Sequence, residues 1–118
     1  MKKILVVDDE VAILTVVKLI LTQYNFKVEI VSQWEHLPQA ILSFAPDLII
    51  LDVTLPGGDG RDVCRQLKSA EDTAHIPVIL FSADCNSIKS LRGCKPDAVI
   101  AKPFDSSELV NAIQEHLA

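Results

Sequence analysis

A chain of 118 residues, 49% hydrophobic and 23% charged, is long enough for one domain with one core and too apolar for disorder to be its main state. Acids outnumber bases 16 to 11, and the resulting net charge of -5 argues against non-specific binding of nucleic acid or of an anionic membrane, both of which need basic patches. The apolar run at residues 4–7 is too short for a signal peptide and ends in Asp8, Asp9 and Glu10, and no segment is long enough to cross a bilayer. The expectation is a single cytoplasmic domain spanning residues 1–118.

Residues 4–7 read as a first strand. Residues 11–24 are strongly apolar, lack Gly and Pro, and read as a first helix with acids at its positive end. Asn25 suits the left-handed residue that closes such a helix, with Phe26 folding back on it. Residues 27–31 alternate, as a strand near a sheet edge does. In the next segment Ser32 and Glu35 resemble a capping box, but Pro38 would then fall inside the helix at a cost of about 3 kcal/mol. The regular second helix is therefore expected from about Leu37 to Ala45, with Pro38 in its first turn. Residues 48–51 form a third strand that runs into Asp52. Residues 57–60 are a loop, 61–69 a short third helix, 78–81 a fourth strand, 87–92 at most two turns of a fourth helix and 98–101 a fifth strand. Asp105 with Glu108 caps a fifth helix carrying Leu109, Ile113 and Leu117 at helical spacing. Five apolar strands alternating with helices imply a parallel sheet covered on both faces, with ligands bound beyond the carboxyl ends of its strands. Cys64, Cys85 and Cys94 are odd in number and show neither metal-ligand nor C-x-x-C spacing, so they read as buried or idle reduced thiols.

The strand ends carry the chemistry: Asp8 and Asp9 after the first, Asp52 on the third, Ser82 after the fourth, Lys102 and Pro103 after the fifth. Each has an ordinary reading alone. Asp8 and Asp9 suit a helix N-terminus, Asp52 a turn, Ser82 a loop hydroxyl and Lys102 a solvated charge. Together they differ. Carboxylates converging in one crevice repel and call for a cation, and an oxygen-only set suits Mg²⁺. A lysine and a hydroxyl beside them suit the oxygens of a phosphoryl group.

With Val6-Val7-Asp8-Asp9-Glu10, Leu48-Ile49-Ile50-Leu51-Asp52, Pro56-Gly57-Gly58-Asp59-Gly60, Phe81-Ser82-Ala83 and Lys102-Pro103-Phe104 in this order, the whole chain resembles the CheY-like receiver domain of bacterial two-component response regulators. The resemblance implies a flavodoxin-like α/β sandwich with a five-stranded parallel sheet in order 2-1-3-4-5, which sets Asp9 beside Asp52. It implies that Asp52 takes a phosphoryl group from a phosphohistidine on a sensor histidine kinase or histidine phosphotransfer protein, catalysing its own phosphorylation and dephosphorylation. Mg²⁺ (or Mn²⁺) would be bound by Asp9, Asp52 and the backbone carbonyl of Thr54, with Asp8 acting through water. Lys102 would pair with the phosphoryl oxygens, Ser82 would hydrogen-bond one of them, and the peptide before Pro103 is often cis. Thr54 and Asp84 lie beside the expected path of the hydrolytic water.

The output face of such domains, formed by the fourth helix, fifth strand and fifth helix, departs from the pattern. Val99 occupies the position of the aromatic that usually swings inward, and a Val is too short and rotamer-stiff to do so. The approach to that strand, Gly93-Cys94-Lys95-Pro96-Asp97, is also atypical. The alternative is therefore a phosphorylation-independent interaction module with a vestigial acidic pocket. A haloacid-dehalogenase-type phosphatase needs a second acid where Thr54 stands. A cyclic-dinucleotide synthase needs a further acid at Gly60. A flavodoxin-type redox protein would meet three acids where its flavin phosphate binds.

Overall fold

The computed structural model describes residues 1–83 and 90–117. Five strands, β1 (Lys3–Val7), β2 (Lys27–Val31), β3 (Leu48–Asp52), β4 (Val78–Ser82) and β5 (Ala98–Ala101), form one parallel sheet in the order β2-β1-β3-β4-β5. Four helices are described: α1 (Val11–Gln23), α2 (Leu37–Phe44), α3 (Gly60–Ser69) and α4 (Ser106–His116), the last being the fifth helix expected from the sequence. The fold class and strand order are as expected. The expected helix at 87–92 falls largely outside the described residues, and Ser90 to Arg92 are not helical.

The sheet separates two cores. Leu5, Val7, Ile49, Leu51, Val78 and Leu80 face α2 and α3, while Ile4, Val6, Ile50, Ile79 and Phe81 face α1 and α4. Strands buried on both faces cannot alternate polar and apolar residues, which explains the unbroken runs in β1, β3 and β4. Each fully buried Leu or Ile contributes about 1.5–3 kcal/mol. β2 lies at an edge and is mostly exposed, in keeping with its charged, alternating sequence.

Local chemistry sets the element ends. Asn25 is left-handed (φ 67°), its N–H bonding Thr22 O and that of Phe26 bonding Leu21 O, so α1 stops in a Schellman turn. Pro38 sits in the first turn of α2. The Ser32–Glu35 capping box does not form; a 3-10 turn (Trp34–His36) occupies that stretch instead, with no side-chain cap. Residues 57–60 are more ordered than a loop. Thr54–Leu55 pairs antiparallel with Gly58–Asp59 in a small hairpin, and Asp59 caps α3 by accepting from Arg61 N at 2.8 Å. Asp105 caps α4 as expected, accepting from Glu108 N at 2.7 Å.

The cysteine expectation is corrected. Cys64 and Cys94 are buried but not reduced: a disulfide joins them, with Cα atoms 5.8 Å apart and a sequence separation of 30. Their spacing carries no signal because the pairing arises from the packing of α3 against the segment entering β5.

Candidate functional site

The site is a consequence of strand register. Val7 pairs with Leu51, so the next residues, Asp8 and Asp52, stand side by side at the carboxyl edge of the sheet. Asp52 pairs with Phe81, and Ser82 with Ala101, which brings Ser82 and then Lys102 to the same edge. Lys102 N donates to Ser82 O at 2.8 Å, fixing the lysine backbone there. The Lys102–Pro103 peptide is cis, and Phe104 beyond it stacks on Phe81 at 5.0 Å between centroids.

Lys102 holds the site together. Its Nζ lies 2.6 Å from Asp52 Oδ2, 2.8 Å from Asp8 Oδ2 and 3.9 Å from Glu10 Oε1. Asp8 is fully buried and Asp52 only 4% exposed. Two buried carboxylates side by side would be untenable without such a counter-charge. Burial, together with the neighbouring Asp52 charge, pushes the Asp8 carboxyl above its ordinary value against the pull of Lys102 and of the Glu10 N–H. Burial would pull Lys102 down, but its hydrogen bonds to Asp52 and Asp8 outweigh this and raise it, so the ammonium stays charged.

The remaining bonds aim the carboxylates. Glu10 N donates to Asp8 Oδ1 at 3.0 Å and Thr54 N to Asp52 Oδ1 at 3.0 Å, so each acid has one oxygen tied to backbone and the other on Lys102. Gly60 lets α3 start against the acceptor strand: a Cβ there would lie 2.0 Å from the Asp52 carbonyl oxygen. Trp34 covers the adjoining hairpin, donating from Nε1 to Pro56 O at 2.8 Å over Gly58, where a Cβ would meet the indole at 2.6 Å.

Asp8, Glu10 and Asp52 place ligand oxygens within 4.8 Å of one another and are positioned to bind a metal ion. The donor set is oxygen only, which suits a hard divalent cation. Asp52, Lys102 and Ser82 all reach the expected edge. Asp9 does not join the group: its side chain is exposed, and the register sets Asp8, not Asp9, beside Asp52. Glu10 was missed in the sequence because it reads as one more acid at a helix start; its place one residue after the Asp pair was the available signal. Asp84 lies outside the described residues. A separate groove of about 740 Å³ between α2 and α3, lined by Trp34, Ile41 and Leu67 among others, shares no residue with this cluster.

Comparison with known proteins agrees with this geometry. Residues 4–114 match the model of the response regulator receiver domain family, so the chain belongs to that family and is a receiver domain of two-component signalling. It is 30% identical over 118 residues to the DNA-binding response regulator MtrA of Mycolicibacterium paratuberculosis, covering 98% of this chain and 51% of that protein. The chain thus spans about half the length of the curated relatives it matches. Among solved structures it is similar to the signal receiver domain of a signal transduction histidine kinase from Syntrophus aciditrophicus (TM-score 0.90, 31% identity, 99% of this chain and 90% of that one). It is also similar to the response regulator TrrA of Thermotoga maritima in complex with Mg²⁺-BeF (TM-score 0.89, 28% identity, 99% and 100%).

Proposed function

We propose that Asp52 is a phosphoacceptor, taking a phosphoryl group from a phosphohistidine on a sensor histidine kinase or histidine phosphotransfer protein in the cytoplasm. The observation that carries this reading is the Lys102 ammonium shared between two buried carboxylates, one of them at the end of a core strand. A carboxylate is a weak nucleophile, so positive charge must be in place where the phosphoryl oxygens arrive. The Thr54 N–H holds Asp52 Oδ1 and fixes the rotation of the carboxylate. Lys102, already at Asp52 Oδ2, would pair with the oxygens of a phosphoryl group on that residue, and the Ser82 hydroxyl, from the same sheet edge, would hydrogen-bond another. As the O–P bond to Asp52 forms, the P–N bond to the donor histidine breaks.

Asp8, Glu10 and Asp52 would hold Mg²⁺, and family membership adds the Thr54 carbonyl and, by a turn of its exposed side chain toward the ion, Asp9. The ion would neutralise charge on the transferring group. The Mg²⁺-BeF complex of TrrA, a similar receiver, supports this choice of metal. The phosphorylated state is read by a downstream partner on the face around β5 and α4. Val99, partly buried against the core that faces α2 and α3, cannot act there as an aromatic reporter. The donor approaches past α1, where Val11, Val16 and Leu19 are more than half exposed. The net charge of -5 disfavours DNA contact by this domain.

Acetyl phosphate with Mg²⁺ adds one phosphoryl group to the wild-type chain, seen by intact mass, and none to Asp52→Asn. An unmodified wild-type mass would instead support the phosphorylation-independent interaction module.

A further inference from the structure

The segment entering β5 is fastened to α3 at successive points. Arg61 Nη1 donates to Ser90 O at 2.8 Å, and Arg65 Nη1 to Arg92 O at 3.1 Å. Arg92 returns the contact, pairing with Asp59 Oδ2 at 3.1 Å and Asp62 Oδ2 at 3.2 Å. Cys94 is bonded to Cys64. These ties hold two consecutive left-handed residues, Arg92 (φ 51°) and Gly93 (φ 81°). That conformation is unfavourable for an arginine, so something must impose it. The Arg65 and Arg92 side chains are about half exposed, and ion pairs of that kind contribute little. The covalent bond is the dominant fastening.

We propose that the Cys64–Cys94 cystine is a reversible thiol–disulfide modification site that latches residues 90–94 to α3. The reductant is a dithiol. Its thiolate attacks Sγ of Cys94, the end that is 4% exposed where Cys64 is wholly buried. Exposed Arg92 and Lys95 bracket Cys94 and favour the approach of an anion. The S–S bond breaks, and Cys64 leaves as a thiolate and takes up a proton. The second thiol of the reductant then attacks its own sulfur in the mixed disulfide, releasing Cys94, which is protonated in turn. Two electrons and two protons pass to the protein and the reductant ends as a disulfide; an oxidised dithiol drives the reverse. In the proposed cytoplasmic setting thiols are kept reduced, so the latch stands open until an oxidant closes it. Opening leaves the left-handed turn held only by the noncovalent ties of Arg61, Arg65 and Arg92 and loosens the stretch leading into β5 and Lys102. The proposal does not depend on phosphorylation of Asp52.

The test combines alkylation and amide hydrogen exchange on the full chain. After treatment with oxidised dithiothreitol, alkylation in denaturant should label Cys85 alone. After native treatment with dithiothreitol it should label all three cysteines. Exchange in residues 90–97 should rise at least tenfold on reduction while β1 and β3 stay protected, and oxidised dithiothreitol should restore the slow exchange. Asp52→Asn should respond identically, which separates failure here from failure of the phosphoacceptor reading. Three results would each overturn the proposal: labelling of Cys64 and Cys94 after oxidation, reduction only together with loss of protection in β1 and β3, or reduction with no change in residues 90–97.

Discussion

Lys102 is the residue on which the site turns. Its side chain is 10% exposed and serves two acids that have little other access to positive charge. Lys102→Met would leave Asp8 and Asp52 buried and uncompensated, and removal of one partner from a buried ionic group costs about 3–5 kcal/mol. Denaturant unfolding should show a loss of about 3 kcal/mol without metal, and millimolar Mg²⁺ should restore more stability to the variant than it adds to wild type. This part of the site was legible in sequence, because an acid after one core strand, an acid ending another and a lysine after a third have few joint explanations. Which carboxylate stands beside Asp52 was not. Asp8 and Asp9 are equivalent in composition, and only the pairing of Val7 with Leu51 decides between them. The Cys64–Cys94 bond was illegible for a similar reason, since it depends on where α3 lies and not on any spacing.

At the scale of elements, polar ties outside the site keep the strands that carry it in register. Asp97 Oδ2 accepts from Val78 N at 2.8 Å and pairs with Lys68 Nζ at 2.8 Å, joining the start of β5 to the start of β4 and the end of α3. Burial raises the Asp97 carboxyl, but the hydrogen bonds from Lys68 and Val78 outweigh it, and the net value lies below the ordinary 3.8. A carboxyl depressed on folding contributes stability above its unfolded pKa, and that stability is lost as pH falls through the folded value. Asp97→Asn should therefore lower stability at neutral pH and flatten the acid limb below about pH 4, in melting curves recorded across pH. A variant as acid-sensitive as wild type would show that this tie does not matter. The elements themselves were largely readable. Apolar runs marked β1, β3 and β4, Asn25 and Asp105 marked helix ends, and Pro38 placed the start of α2. The failures were local. Ser32 and Glu35 suggested a cap where a 3-10 turn formed, and the Pro56-Gly57 turn closed a hairpin where a loop was expected.

For the whole molecule, one sheet with α2 and α3 on one face and α1 and α4 on the other gathers groups from four strand ends at a single edge. That edge stores like-charge repulsion between Asp8, Glu10 and Asp52, which a cation relieves. Binding to the folded state alone stabilises it by about 2.7 kcal/mol at a hundredfold excess over Kd, so Mg²⁺ should raise the melting temperature of the wild type. A melting temperature indifferent to millimolar Mg²⁺ would count against the metal site. The identity of the phosphoacceptor separates a phosphorylated receiver from an interaction module that signals by binding alone. Treating the chain with acetyl phosphate and Mg²⁺, trapping the acyl phosphate with borohydride and mapping the product by peptide mass spectrometry identifies that residue. Asp52 should be recovered as homoserine, with every other acid intact. Homoserine at Asp8, Asp9 or Glu10, or at no position, would contradict that assignment.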